Sequence, residues 1–277
     1  MTNEAYTEIR LTLPEAEQDD CIALLDSIGY DAFVQETDHL LAYIPQAQFS
    51  EAQLTETLNQ LPQPPHWTRQ ELAPRNWNAE WEADYDSVRV DDFCLIRPLF
   101  RPVEAGFRYV VTIQPEMSFG TGHHATTRSM VRLMAATPLA GKRVLDMGCG
   151  TGVLGILAEQ LGAAAVLLVE IEPIAAENAR VNLERNACHR CEVRTGGMEQ
   201  LRPEERFDVV LANIDRNTLL ALGAELVSRL NAGGHLLISG FLQADEPMLE
   251  AHFTTMGLKV LARQGEADWR ALHLQRT

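Results

Sequence analysis

The sequence has no uninterrupted apolar run near the 18 residues that a membrane-spanning helix needs. Its opening residues, MTNEAYTEIR, lack the basic-then-apolar pattern of a signal peptide. No membrane association is expected, and the cytoplasm is the expected compartment. Basic residues are few. Lys and Arg total 23 against 39 Asp and Glu, a net charge of −16. Nucleic-acid binding rests on basic patches, so a nucleic-acid partner is not expected. The acidity suits a cationic protein or peptide, and it is equally ordinary in a cytosolic enzyme. Cysteines number five, at positions 21, 94, 149, 188 and 191. The odd count and irregular spacing argue against a disulfide framework. No HExxH occurs. Cys188 and Cys191 have a metal-like spacing, but a structural zinc site takes about four ligands and no second pair lies at a suitable distance. His123 and His124 are adjacent, so they cannot share a helix face as an i, i+4 metal pair does. No bound metal is expected.

What is present is two patterns in succession. The chain has 277 residues, of which 46% are apolar, enough for a sizeable core. In YTEIRLTL, Ile9, Leu11 and Leu13 alternate onto one face, which predicts a strand. Pro14 opens a helix with Cys21, Leu24, Leu25 and Ile28 on one stripe, and Gly29 stops it. YDAFVQE and HLLAYIP predict two short strands. Ser50 and Gln53 form a capping-box start for a second helix ending near Leu61. WTRQEL reads as a closing strand. The order βαββαβ is that of a ferredoxin-like α+β domain, a fold that hosts many functions. The proline-rich LPQPPHW marks a boundary, so the expected division is 1–62 for the small domain, 63–90 for a linker and 91–277 for the main domain. Trp77, Trp81 and Tyr85, spaced by four, predict one aromatic stripe on a linker helix.

FCLIRPLF and RYVVTIQP read as a β-ribbon. From Gly141 on, the strands RVLDMG, AVLLVEIE, CEVRT, FDVVLAN and HLLISGF alternate with helices. That is an α/β fold with a mostly parallel, Rossmann-like sheet. KVLARQ and WRALHLQR predict a final antiparallel hairpin joined by GEAD.

In such sheets ligands sit at the carboxyl ends of strands, near the switch in strand order. LDMGCGTG is such an end. Its glycines are Gly148, Gly150 and Gly152. Val153 stands where a dinucleotide fingerprint wants glycine, and the Walker lysine is absent, so diphosphate binding is disfavoured. Glycine lets backbone approach a ligand closely. Asp146 places a carboxylate where a cationic amine could sit. Glu170, 22 residues past Gly148, ends the second strand, where a carboxylate can accept both ribose hydroxyls. An amine plus a ribose describes S-adenosylmethionine. Asn213 ends the fourth strand, beside the reactive sulfonium in this architecture. Its amide carbonyl can accept from an amine nucleophile and orient the lone pair, or it can simply stabilise a turn.

These segments, MSFGTGHHATT, VLDMGCGTGVLGILAEQLGA, VEIEP, LANI and NAGGHLLISGF in order, resemble the PrmA family of methyltransferases that act on the eleventh protein of the large ribosomal subunit. The resemblance covers most of the chain from about residue 76. Its specific element is G-T-G-x-H-x-T-T. It implies a class I S-adenosylmethionine-dependent methyltransferase domain behind a substrate-recognising N-terminal domain. It further implies methyl transfer to lysine side-chain and N-terminal amines of the ribosomal protein, and a monomer is expected. By this resemblance SFGTGHHATT folds over the cofactor. Thr127 binds it, His124 is the loop histidine, and Phe119 and Gly120 cover its adenosine or methionine end. Gly148 and Asn213 carry over as binding residues, and Gly150 lies within the same turn. Glu170 stands where the family usually has Asp. NIDR departs from the family's apolar continuation after Asn-Ile. Three alternatives stay open on the residues alone: a methyltransferase for another protein or a small amine, a nicotinamide dehydrogenase, and a non-catalytic binding protein.

Overall fold

A computed structural model of the chain describes residues 5–72, 85–115 and 120–277. The chain divides into two compact units, Met1–Asp84 and Tyr85–Thr277.

In the first unit β1 (Tyr6–Thr12), β2 (Ala32–Gln35), β3 (His39–Pro45) and β4 (His66–Leu72) form one sheet in the order β2-β3-β1-β4. Every pairing is antiparallel. Helices α1 (Glu15–Asp26) and α2 (Glu51–Leu58) supply the rest of the core. Alternation buries Ile9, Leu11, Leu40, Ala42 and Ile44 on one face, against Cys21 and Leu25 of α1 and Leu54 and Leu58 of α2. This is the ferredoxin-like arrangement that the element order predicted. Ser50 caps α2, accepting from the Gln53 N–H at 3.4 Å. The helix ends at Leu58, short of Leu61.

The expected bounds of the linker shift at both ends. Strand β4 pairs with β1 from His66 to Leu72, so the first sheet extends past residue 62. Strand β5 (Val88–Val90) belongs to the second unit, before residue 91. The prolines of LPQPP mark a loop that leads into a strand, because proline interrupts local hydrogen bonding without ending a domain. The predicted linker helix, with Trp77 and Trp81, lies outside the described residues. Tyr85 is described, and its ring meets that of His123 edge-on at 4.6 Å.

The second unit holds β6 (Cys94–Pro98), β7 (Tyr109–Ile113), α3 (Ala125–Ala135), β8 (Arg143–Met147), α4 (Val153–Gln160) and β9 (Ala165–Glu170). After these come α5 (Pro173–Arg185), β10 (Cys191–Thr195), β11 (Phe207–Asn213), α6 (Arg216–Ser228), β12 (Leu230–Leu242), α7 (Glu246–Thr255), β13 (Leu258–Glu266) and β14 (Trp269–Arg276). The main sheet runs β10-β9-β8-β11-β12-β14-β13. Its first five strands are parallel and β14 is antiparallel to both neighbours. Strand order reverses between β8 and β11, and in open sheets of this kind ligands bind at the carboxyl ends of the strands beside such a switch.

Both faces of this sheet are covered. Val144, Val166, Leu168, Val209 and Leu211 face one core with α3 and α4, while Leu145, Leu167, Val169, Val210 and Ala212 face another with α6 and α7. That double burial is why these strands read as continuous apolar runs. Strands β5, β6 and β7 form a separate small sheet. Here β6 and β7 do pair, but in parallel, so they are not the ribbon predicted. The chain between Pro98 and Tyr109 crosses back to the same end, and only a long connection permits that. Helices α3 and α7 were not read from the sequence.

Candidate cofactor and catalytic site

Four chain segments meet at the β8/β11 switch. The first is the turn after Met147. Gly148 takes φ +70°, and its N–H donates to the Val169 carbonyl at 2.8 Å. A Cβ on Gly148 would overlap Cγ2 of Ile214, so the position admits no side chain. Gly152 is the left-handed N-cap of α4. Asp146, 1% exposed, turns Oδ2 to the Gly155 N–H at 3.0 Å and so ties the strand to the helix that follows. Burial pushes its carboxyl up to about 7, the Gly155 N–H opposes that rise, and the charge of Glu170 adds to it. The structure therefore spends one oxygen of Asp146 inside the protein.

The second segment is the end of β9. Glu170 is 8% exposed. Its Oε2 accepts from the Gly150 N–H at 2.8 Å and its Oε1 from the Glu172 N–H at 3.1 Å. Glu170 thus holds the glycine turn in shape. A carboxylate has about four acceptor sites, so two bonds leave capacity for a ribose diol.

The third segment is the end of β11. Asn213 Nδ2 lies 3.5 Å from Oγ1 of Thr127. Its Oδ1 is buried and has no hydrogen-bond partner among the described residues. Leaving a buried acceptor unpaired costs about 1–3 kcal/mol, so such an atom marks where a ligand donor belongs. Asp215 and Arg216, where NIDR departs from the family pattern, have structural partners. Asp215 caps α6 through the Asn217 and Thr218 N–H groups, and Arg216 pairs with Asp245 at 2.8 Å.

The fourth segment is Gly120–Thr127. Thr127 is fully buried, and it sits in the first turn of α3 rather than in a loop. His124 is the N-cap of that helix. Its Nδ1 lies 2.8 Å from Thr126 Oγ1 and accepts from the Thr126 N–H at 3.4 Å. Burial, then the charge of Arg128, lowers its pKa, which keeps the ring neutral and Nδ1 able to accept. Its ring meets Trp269 edge-on at 4.5 Å. His123 instead contacts Tyr85 and lies 3.3 Å from Thr121 Oγ1, so the two histidines take separate partners. Phe119 lies outside the described residues.

Two further groups fix this arrangement, and sequence reasoning passed over both. Thr151 Oγ1 donates to the Gly120 carbonyl at 2.8 Å, which fastens the GTG segment to the glycine turn. On α5, Asn182 Nδ2 donates to the Thr151 carbonyl at 3.0 Å, while its Oδ1 accepts from the Gln114 N–H at 2.7 Å. Asn186 bonds both main-chain groups of Thr112, at 2.9 and 2.6 Å. Asn178 donates to the Gln114 carbonyl at 3.2 Å. A ladder of asparagines four residues apart therefore acts as a strand edge for the end of β7. The available signal was three amides on one helix face, in PIAAENARVNLERN, two of them buried.

The comparisons with known proteins cover nearly the whole chain. The family model described as ribosomal protein L11 methyltransferase (PrmA) matches residues 5–277. A ribosomal protein L11 methyltransferase of Porphyromonas gingivalis is 38% identical over 266 residues, covering 95% of this chain and 91% of that protein. One from Phocaeicola vulgatus is 34% identical over 274 residues, covering 96% and 98%. Among solved structures, a ribosomal protein L11 methylase from Lactobacillus delbrueckii subsp. bulgaricus matches with a TM-score of 0.62. At 24% identity, covering 69% of this chain and 98% of that one, it speaks to the fold alone. The chain belongs to the ribosomal protein L11 methyltransferase (PrmA) family.

Proposed function

We propose that this protein methylates amines of the large-subunit ribosomal protein L11, at lysine side chains and the N-terminal amine, with S-adenosylmethionine as cofactor. The family relationship supports a cofactor-dependent protein methyltransferase. The observation that carries the site assignment is the buried Oδ1 of Asn213, without a partner among the described residues, beside the Gly148 turn. The residues present fit the cofactor: a left-handed glycine turn at the strand end, a strand-end carboxylate with spare acceptor sites, and an amide oxygen without a partner among the described residues.

Gly148 and Gly150 would face the cofactor through main chain, Glu170 would take the ribose hydroxyls, and Asp146 would favour the cationic end by its charge. Thr127, His124, Gly120 and Phe119 belong to the segment expected over the bound cofactor. When bound, S-adenosylmethionine supplies an already activated methyl group with a neutral thioether as its leaving group. The protein's work is then mainly positioning. Asn213 Oδ1 accepts an N–H of the incoming amine and aims its lone pair, while Thr127 steadies the other end of the amide. The amine must be neutral to attack; desolvation in the crevice lowers its pKa, while the nearby carboxylates of Asp146 and Glu170 raise it.

The first unit would bind the substrate protein. Its own closed core, separate from that of the second unit, supports a distinct recognition role. The net charge of −16 favours a cationic protein substrate over nucleic acid, and a monomer suffices for a site built within one chain. Among the described residues no helix is long and apolar enough to cross a membrane. A cytoplasmic location is part of the same proposal.

Calorimetric titration with S-adenosylmethionine, together with a methylation assay on Asn213→Ala, tests the assignment. The expected result is one cofactor site in the wild type and a variant that loses most of its turnover while remaining folded. Full turnover in Asn213→Ala would remove Asn213 from the chemistry.

A further inference from the structure

At the other end of the strands, away from the crevice, three donor side chains converge. They are the carboxylate of Glu159 near the end of α4, Cys188 in the turn after α5, and Cys191 at the start of β10. Their ligand atoms all lie within 4.8 Å of one another. The sequence offered no second cysteine pair, and the fold supplies a carboxylate in its place.

The carboxylate is already oriented. Its Oε1 accepts from the His189 N–H at 2.9 Å and its Oε2 from the Arg190 N–H at 2.9 Å. Main-chain donors of this kind fix a ligating group in the way an outer coordination shell does. Cys191 Sγ lies 3.1 Å from Oε2. A thiol proton thus occupies the space between two donor atoms that a metal ion bridges. Zinc–sulfur and zinc–oxygen bonds of about 2.3 and 2.1 Å in a tetrahedron separate the ligand atoms by roughly 3.5–4 Å. The observed cluster reaches that spacing with small side-chain movement.

We propose that Glu159, Cys188 and Cys191 bind one zinc-class divalent cation, which ties the end of α4 to the turn between α5 and β10. Binding converts two thiols to thiolates and releases two protons to solvent, with no change of oxidation state. Two thiolates and a carboxylate carry three negative charges. The dication and Arg190, whose guanidinium lies 3.7 Å from Glu159, balance them. Thiolate donors select zinc or cobalt over magnesium or calcium. Both cysteines are partly exposed, which gives the ion a path in, and the fourth position falls to water. The site is separate from the methyl-transfer crevice, and it stands or falls independently of the proposed function.

The test uses the reduced full-length protein. Co2+ titration should give thiolate-to-metal charge-transfer absorption that saturates at one equivalent and is displaced by Zn2+. Cys188→Ser and Cys191→Ser should abolish it. Outer-shell groups alone are worth about tenfold in metal affinity, so Glu159→Gln should weaken binding at least that much. A second measurement needs no variant: Zn2+ should protect Cys188 and Cys191, and not Cys21, from alkylation mapped by mass spectrometry. Absence of the charge-transfer band with equal alkylation at all zinc concentrations would overturn the proposal. So would loss of both thiols to a Cys188–Cys191 disulfide in air with no metal bound after reduction.

Discussion

Gly240 of β12 lies against the main chain of Ile214. A Cβ built on Gly240 would overlap the Ile214 carbonyl oxygen and come within 2.6 Å of its carbonyl carbon. The strand register slips between Ser239 and Phe241, and Gly240 takes φ +96°. This bulge opens room for the residue after Asn213. On its other side Ile214 packs its Cγ2 against Gly148. One residue is therefore wedged between two glycines, and that wedge sets where β11 ends and where the Asn213 amide stands.

Gly240→Ala should displace Ile214 and Asn213 together. Strain at a left-handed position and the overlap with backbone each cost on the order of 1–3 kcal/mol. A lower urea midpoint with unchanged m-value is expected, along with a larger loss of methylation than the residual unfolding explains. Normal turnover in a stable Gly240→Ala protein would show that the bulge does not position Asn213.

The asparagine ladder gives a paired prediction. Asn182 reaches both Thr151 and Gln114, whereas Asn186 reaches Thr112 and its own helix. Net hydrogen-bond contributions of about 1 kcal/mol each predict comparable drops in thermal stability for Asn182→Ala and Asn186→Ala. Cofactor affinity should fall roughly tenfold, about 1.4 kcal/mol, only for Asn182→Ala, because only that amide fastens the glycine turn. Calorimetric titration of both variants separates the two effects, and equal affinities would contradict the clasp.

Glu170→Ala removes two acceptors from the glycine turn as well as the expected ribose contact. Charged hydrogen bonds contribute about 1.5–3 kcal/mol, so S-adenosylmethionine affinity should fall tenfold or more. Glu170→Asp shortens the arm and should recover only part of it. Unchanged affinity in Glu170→Ala, measured by the same titration, would take Glu170 out of the site.

Much of this architecture was legible in the sequence, for local reasons. Strands β8, β9 and β11 are buried on both faces, so they appear as apolar runs punctuated by helices. The glycine turn announces itself because close approach needs glycine. Helix α3 was missed because its first turn is Ala-Thr-Thr behind glycines and histidines, and threonine is a poor helix former. What starts it is the His124 cap, which no composition shows. The parallel pairing of β6 with β7 and the Asn182 contacts depend on tertiary neighbours. Gln114 and Asn182 are 68 residues apart, and nothing local reports that they meet.

His273 gives a pH dependence. It is 5% exposed, and its ring lies 2.9 Å from that of His235. Burial, then the charge of His235, holds its pKa down to about 4. An unfolded histidine titrates near 6.5, so below that pH the unfolded chain binds a proton that the folded one refuses. Stability from this group is fully present above pH 6.5 and is lost as pH falls towards 4, by at most roughly 3 kcal/mol. Melting temperatures of wild type and His273→Asn, compared at pH 7.5 and pH 4.5, should show a smaller acid-induced drop in the variant. Parallel drops would exclude His273 as a contributor.

The most direct test of the central claim is intact-mass and peptide mass spectrometry of purified ribosomal protein L11 incubated with this protein and S-adenosylmethionine. The account predicts a series of one-methyl increments, confined to lysine side chains and the N-terminal amine, and strongly reduced with Asn213→Ala. An unmodified L11 under conditions where the protein binds S-adenosylmethionine, or increments on residues other than amines, would contradict it.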